Sequence, residues 1–220
     1  KTGIAALKES EWPELKHYFA AIKRENEGAD GERYYPGSPA IVASYLRPGD
    51  RAWWFELHPS DFTALRQLDG RRQVRVAQED GFAGLQRLVP PTSRRGLVLI
   101  DPSYEIKDDY QKVFTEVQAA YKKWPTGTYA IWYPVVERHR INELERRFEN
   151  SGIRNIQLFE LGVQPDHSDK GMTAAGMIVI NPPYTLFTKM ETLLDRLSLA
   201  IANSSEALSG HCRSIEIAAE

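Results

Sequence analysis

Residues 96–105 read GLVLIDPSYE, and about eighty residues later 176–184 read GMIVINPPY. Each is a short apolar run that stops at an acid or amide, followed by proline and, two residues on, tyrosine. The run 96–100 is apolar throughout, as a central parallel strand buried on both faces would be. Downstream, 107–124 sets Tyr110, Val113, Phe114, Val117, Tyr121 and Trp124 on one helical face. A strand (128–135) and a helix with Ile141, Leu144 and Phe148 inward (136–150) follow, the helix ending at Gly152. Upstream, 10–25 is predicted helical. Ser38 is predicted to cap a helix begun by Pro39, and strands are expected at 52–57 and 73–78. Alternating strands and helices imply an α/β fold with a parallel sheet and right-handed crossovers. The exception is the end: strands 155–163 and 176–181 are joined by a dozen polar residues, which suits an antiparallel hairpin, and a last helix covers 185–201.

The chain has 220 residues, 42% apolar and 26% charged, enough for one substantial core and an expectation of one domain. A net charge of -2 gives no global basic signal for nucleic acid, and pairs such as Arg94-Arg95 and Arg146-Arg147 suit a solvated surface. The single cysteine, Cys212, excludes an internal disulfide framework and a cysteine-rich metal site and fits a reducing, cytoplasmic setting. No apolar stretch approaches membrane-spanning length and no leader is recognisable, so no membrane association is expected. Lys1 in place of methionine is consistent with processing or truncation upstream.

An open parallel sheet binds ligands beyond the carboxyl ends of its strands. That rule selects Glu56 after AWWF, Asp80 with Gly81 after QVRVAQE, and Asp101 after GLVLI. One such acid alone is an ordinary loop start or helix cap, whereas three at one rim form a constellation. An acid after the second strand can accept hydrogen bonds from a ribose diol, and one after the third can take an exocyclic amine of adenine. The pattern is nucleoside-shaped, yet no glycine-rich dinucleotide turn, phosphate loop, metal-ligand spacing or serine-nucleophile elbow occurs.

The segments YYPGSP, ELHPSDF, EDGF, SRRGLVLIDPSYE, TGTYAIWYPV, SGIRNIQLFEL and GMTAAGMIVINPP, in that order over nearly the whole chain, resemble the RlmJ family of bacterial adenine-N6 methyltransferases acting on large-subunit ribosomal RNA. The resemblance implies a Rossmann-like class I methyltransferase sheet, mostly parallel with a C-terminal antiparallel hairpin, whose first strand lies upstream of this chain. It also implies that 1–30 is the remainder of a small helical insertion and 31–220 the methyltransferase domain. S-adenosyl-L-methionine would be the cofactor, ribosomal RNA the partner, and a monomer the expected state. Carried over, Ser38 would lie on the methionine side, Glu56 would hold the ribose, and Asp80 and Gly81 the adenine. Asp101, also near the cofactor, would form the catalytic motif with Pro102 and Tyr104. The family's D-P-P-Y is here D-P-S-Y, and Ser103 loses a fixed φ and gains an N–H.

The N6 lone pair of adenine is delocalised, so the amine needs acceptors for its protons. The Asp101 carboxylate and the Pro102 carbonyl would supply them, Tyr104 would stack on the extruded base, and no metal is required. Tyr133, beside Trp132 at the end of its strand, and Lys170, near His167 in the polar loop, are further candidates for substrate contact; core packing and a solvated loop are their ordinary alternatives. Rival functions are methylation of DNA adenine or protein glutamine on the same fold, or a non-catalytic RNA-binding role. NPPY at 181–184 looks closer to the familiar motif than DPSY. Its strand should nonetheless be the antiparallel one, which would put its end at the other rim, roughly 15 to 20 Å away.

Overall fold

The computed structural model describes residues 7–31, 34–69, 74–104, 109–166, 171–204 and 209–218. Lys170 and His167 lie outside them. The chain divides into two compact units at Arg87/Leu88.

The first unit, Leu7–Arg87, opens with two 3-10 turns and helix α1 (Lys16–Glu25), which buries Phe19, Ala21 and Ile22. Helix α2 (Ser38–Tyr45) follows. Its N-cap is Gly37, so Ser38 is the first helical residue and Pro39 the second; the helix begins one residue earlier than the sequence suggested. Strands β1 (Ala52–Phe55) and β2 (Val74–Ala77) pair in parallel, with helix α3 (Pro59–Leu65) in the crossover. Helix α4 (Gly81–Leu88) begins where Asp80 accepts a hydrogen bond from the Phe82 N–H at 2.8 Å. Gly84 lets α4 approach β1: a Cβ there would stand 2.5 Å from the Phe55 ring.

In the second unit, strands β3 (Leu97–Ile100), β4 (Thr128–Val135), β5 (Ile156–Gly162), β6 (Ala174–Ile180) and β7 (His211–Ala218) form one sheet in the order β3-β4-β6-β5-β7. β3, β4 and β5 run one way and β6 and β7 the other. The hairpin β5–β6 is present, but β6 inserts between β4 and β5 and so pairs on both edges. The expected burial of β3 on both faces is not what the structure has. β3 is the edge of this sheet, and Leu97 and Leu99 are 60% and 39% exposed.

Helices α5 (Asp109–Lys123) and α6 (Arg138–Glu149) pack together, Phe114 meeting Phe148 edge-on at 5.2 Å. They bury Val113, Val117, Ile141, Leu144 and Phe148, the faces read from the sequence. Helix α7 (Leu186–Ser204) places Leu194 in a cluster with Phe159 and Val179. Alternation along a strand separates Phe159 from its neighbours Leu158 and Glu160, so the sheet is apolar on both faces with one buried acid among the core residues.

That acid is Glu160. The register sets Tyr133, Gly176, Glu160 and Arg213 in one row across four strands. Because Gly176 has no side chain, the Tyr133 hydroxyl reaches over β6 and donates to Glu160 Oε2 at 3.1 Å. A Cβ at Gly176 would lie 2.1 Å from Tyr133 Cζ. Arg138 grips the same carboxylate with two bonds of 2.9 and 2.6 Å, and Arg213 adds an ion pair at 3.5 Å. A buried carboxylate persists only with such partners.

Candidate active site

The sequence-selected residues fall into both units, and each group is described within its own. Ser38, Glu56, Asp80 and Gly81 belong to the first. Glu56 follows β1 directly; its N–H donates to Ala77 O at 3.2 Å, and its Oε1 accepts from the His58 N–H at 2.7 Å. Asp80 stands three residues beyond β2 and caps α4. The parallel register Phe55↔Ala77 therefore sets Glu56 and Asp80 beyond the same ends of adjacent strands, both half-buried. Glu56 Oε2 carries no hydrogen bond among the described residues, and exposed Gly81 starts α4 without a side chain. Ser38 is exposed, and its hydroxyl caps nothing in α2.

In the second unit Asp101 directly follows β3. The acid keeps solvent contact, while partial desolvation holds its carboxyl above the ordinary value of 3.8. Neither the Asp101 carboxylate nor the Pro102 carbonyl makes a hydrogen bond among the described residues. Two acceptors on consecutive residues are thus open at the carboxyl end of a parallel strand.

Tyr104 has a left-handed backbone, φ 54°. Its hydroxyl donates to Trp132 O at 2.6 Å, and its ring lies 4.6 Å from Tyr110 and 6.1 Å from Trp132. Tyr110 donates in turn to Pro134 O at 3.1 Å. β4 outruns β3 by four residues, and these alternate carbonyls point to one edge beyond the last β3 partner. The two hydroxyls take the place of the absent ladder. Desolvation first, then Tyr110 and Asp101, raise the Tyr104 phenol, so it is a neutral donor. The sequence singled out Tyr104 but read Tyr110 only as a core residue.

Tyr133 takes the ordinary alternative of the two offered by the sequence: it is fully buried, with its hydroxyl committed to Glu160, and packs the core. Desolvation, then Glu160, pushes its phenol upward.

NPPY lies elsewhere. Asn181 follows β6, and its side-chain amide donates to Pro125 O and Gly127 O, both at 2.8 Å, at the start of β4. Ile180 pairs with Tyr129, whereas Asp101 follows the Ile100↔Ile131 pair. Asn181 is therefore four residues lower along β4 than Asp101, roughly 13 Å in the strand direction.

Among the described residues no group of His, Cys, Asp and Glu could hold a metal ion, and no helix is long and apolar enough to cross a membrane.

A family model described as ribosomal RNA large subunit methyltransferase D, RlmJ, matches residues 1–213. The ribosomal RNA large subunit methyltransferase J of Haemophilus influenzae is 47% identical over 90% of this chain and 72% of its own length. The Escherichia coli protein of the same name is 48% identical over 82% of this chain, which spans 65% of that relative. A Legionella pneumophila protein of solved structure superposes with a TM-score of 0.86 at 32% identity, covering 98% of this chain and 80% of that one. The chain belongs to the RlmJ family of ribosomal RNA large subunit methyltransferases.

Proposed function

We propose that the protein transfers a methyl group from S-adenosyl-L-methionine to the exocyclic N6 of an adenine in large-subunit ribosomal RNA. The observation that carries this reading is a pair of acceptors on consecutive residues just beyond β3, the Asp101 carboxylate and the Pro102 carbonyl, neither hydrogen-bonded among the described residues. Adenine N6 has two protons to give, and its lone pair attacks only when acceptors draw on them. Asp101 takes one hydrogen bond and Pro102 O the other, which orients the amine and localises its lone pair. The raised carboxyl of Asp101 makes it a better resting place for the proton released on transfer. Tyr104, beside Tyr110 and Trp132, offers an aromatic surface to an extruded base.

The residues of the first unit fit a nucleoside donor. On this reading Glu56 Oε2 would take the ribose diol, Asp80 and Gly81 the adenine edge, and the exposed Ser38 hydroxyl the amino-acid end. When bound, S-adenosylmethionine supplies an electrophilic methyl group on a sulfonium. RNA as partner and the cytoplasm as setting follow from the same reading.

The test is incubation of the full-length protein with labelled S-adenosylmethionine and unmodified large-subunit ribosomal RNA, followed by mass spectrometry of the nucleosides. N6-methyladenosine is the expected product. Methylation at another atom or another base, or none, overturns the proposal.

A further inference from the structure

The rim of the second unit that carries Asp101 extends past it, over the ends of β4, β6 and β5, to a cavity of about 390 Å³. Pockets for small molecules and nucleosides are commonly of about 300 to 1,000 Å³. β5, beneath it, lies three strand spacings across the sheet from β3, roughly 14 Å. Between them stand exposed apolar side chains at the strand ends: Val136 after β4, Met172 before β6 and Val163 after β5.

The charges of the cavity are already satisfied. Arg138 is shared by Glu160 and Asp166, and Arg213 is held by Glu145 through two bonds of 3.1 Å. Asp166 also accepts from Thr173, and its carboxyl is held below the usual range, chiefly by the Arg138 hydrogen bond. With both guanidinium groups neutralised, the cavity is poorly suited to a phosphate.

The uncommitted groups are polar. Asn142, Ser209 and His211 line the cavity, and the Asn142 carboxamide, the Ser209 hydroxyl and Nε2 of His211 make no hydrogen bond among the described residues. Together they offer donors and acceptors of the kind that read a base edge or ribose hydroxyls. The fixed guanidinium planes offer stacking surfaces, as proteins use for splayed single-stranded RNA bases.

We propose that this cavity takes a second, unpaired nucleotide of the RNA substrate, a short way along the strand from the methylated adenine. Its base and ribose are bound, with no phosphate in the cavity. The proposal rests on RNA being the substrate. Glu160 is the device that makes the cavity rigid, since it fixes Arg138 before any ligand arrives.

The experiment pairs an Asn142→Ala/Ser209→Ala variant of the full-length protein with a set of RNAs in which each base flanking the target is removed singly. For the wild type, KM rises about tenfold when one particular base is removed, the loss of roughly two hydrogen bonds. The variant starts with KM about tenfold higher and is insensitive to that removal, while removals elsewhere act alike on both proteins. Additive effects at every position, or an unchanged KM in the variant, overturn the proposal while leaving RNA methylation intact. If the wild type neither binds nor methylates RNA, the underlying function fails and the proposal with it. Competition by inorganic phosphate that disappears in the variant would instead identify an anion site and also overturn it.

Discussion

The rings of Tyr104 and Tyr110 lie 4.6 Å apart, and their hydroxyls hold the carbonyls of Trp132 and Pro134, two residues apart on one strand. This clamp ties the DPSY loop to β4. Ser103, where the family pattern has proline, leaves the loop with one more free φ, and the clamp supplies the missing stiffness from outside the motif. Tyr110→Phe is expected to lower kcat several-fold with little change in KM, and adding Ser103→Pro should restore much of the loss. Absence of rescue would show that the hydroxyl does not act through loop rigidity. Tyr104→Ala should cost more activity than Tyr104→Phe, which keeps the aromatic surface.

Asp101→Ala should reduce methyl transfer by at least about a hundredfold, the scale of a lost proton acceptor, while calorimetry still registers cofactor binding. The wild-type profile of kcat/KM against pH gives a second check. A carboxyl raised in the folded protein must lose its proton to accept one from the amine, so activity falls as pH drops through a value above the ordinary 3.8. In Asp101→Asn that acidic limb should vanish from whatever activity remains.

Gly176→Ala should destabilise the protein by about 3 kcal/mol or more, because the new methyl group overlaps a buried ring with no room to retreat. Tyr133→Leu clears that ring, so denaturant titration of the double variant should show strong non-additivity. Tyr133→Phe alone should cost only about 1 to 2 kcal/mol, since Arg138 still holds Glu160.

Asn181→Ala should lower stability by about 2 to 3 kcal/mol, from two lost hydrogen bonds and a left-handed backbone, φ 52°, that alanine tolerates less well. Methylation by the folded variant should match the wild type. A stable but inactive Asn181→Ala protein would return NPPY to the catalytic site.

The helical faces of α5 and α6 and the direction of β6 were legible because they depend on local periodicity and loop length. β7 was overlooked, although Ile215 and Ile217 alternating with Ser214 and Glu216 carry a period of two. α4 gave a weaker signal, with two glycines in eight residues. The edge position of β3 was not readable, since LVLI is equally apolar in a centre or at an edge. Among candidate site residues, the acids at strand ends followed from one topological rule. Tyr133 was ambiguous because its neighbour Trp132 faces the opposite side of the same strand, and parity alone does not say which face is dry. The Glu160 row depends on three registers at once, so no single stretch announces it.

The insertion of β6 between β4 and β5 bears on how the chain is made. β4 is complete at Val135, yet the strand that fills one of its edges begins at Ala174, and β5 waits for the same partner. A ribosome-bound chain that stops short of that segment presents two unpaired, apolar strand edges at once, the kind of surface that recruits chaperones and promotes aggregation. Closure of the sheet is thus a late, non-local event, and the rim with Asp101 acquires its final shape only after most of the polypeptide has emerged.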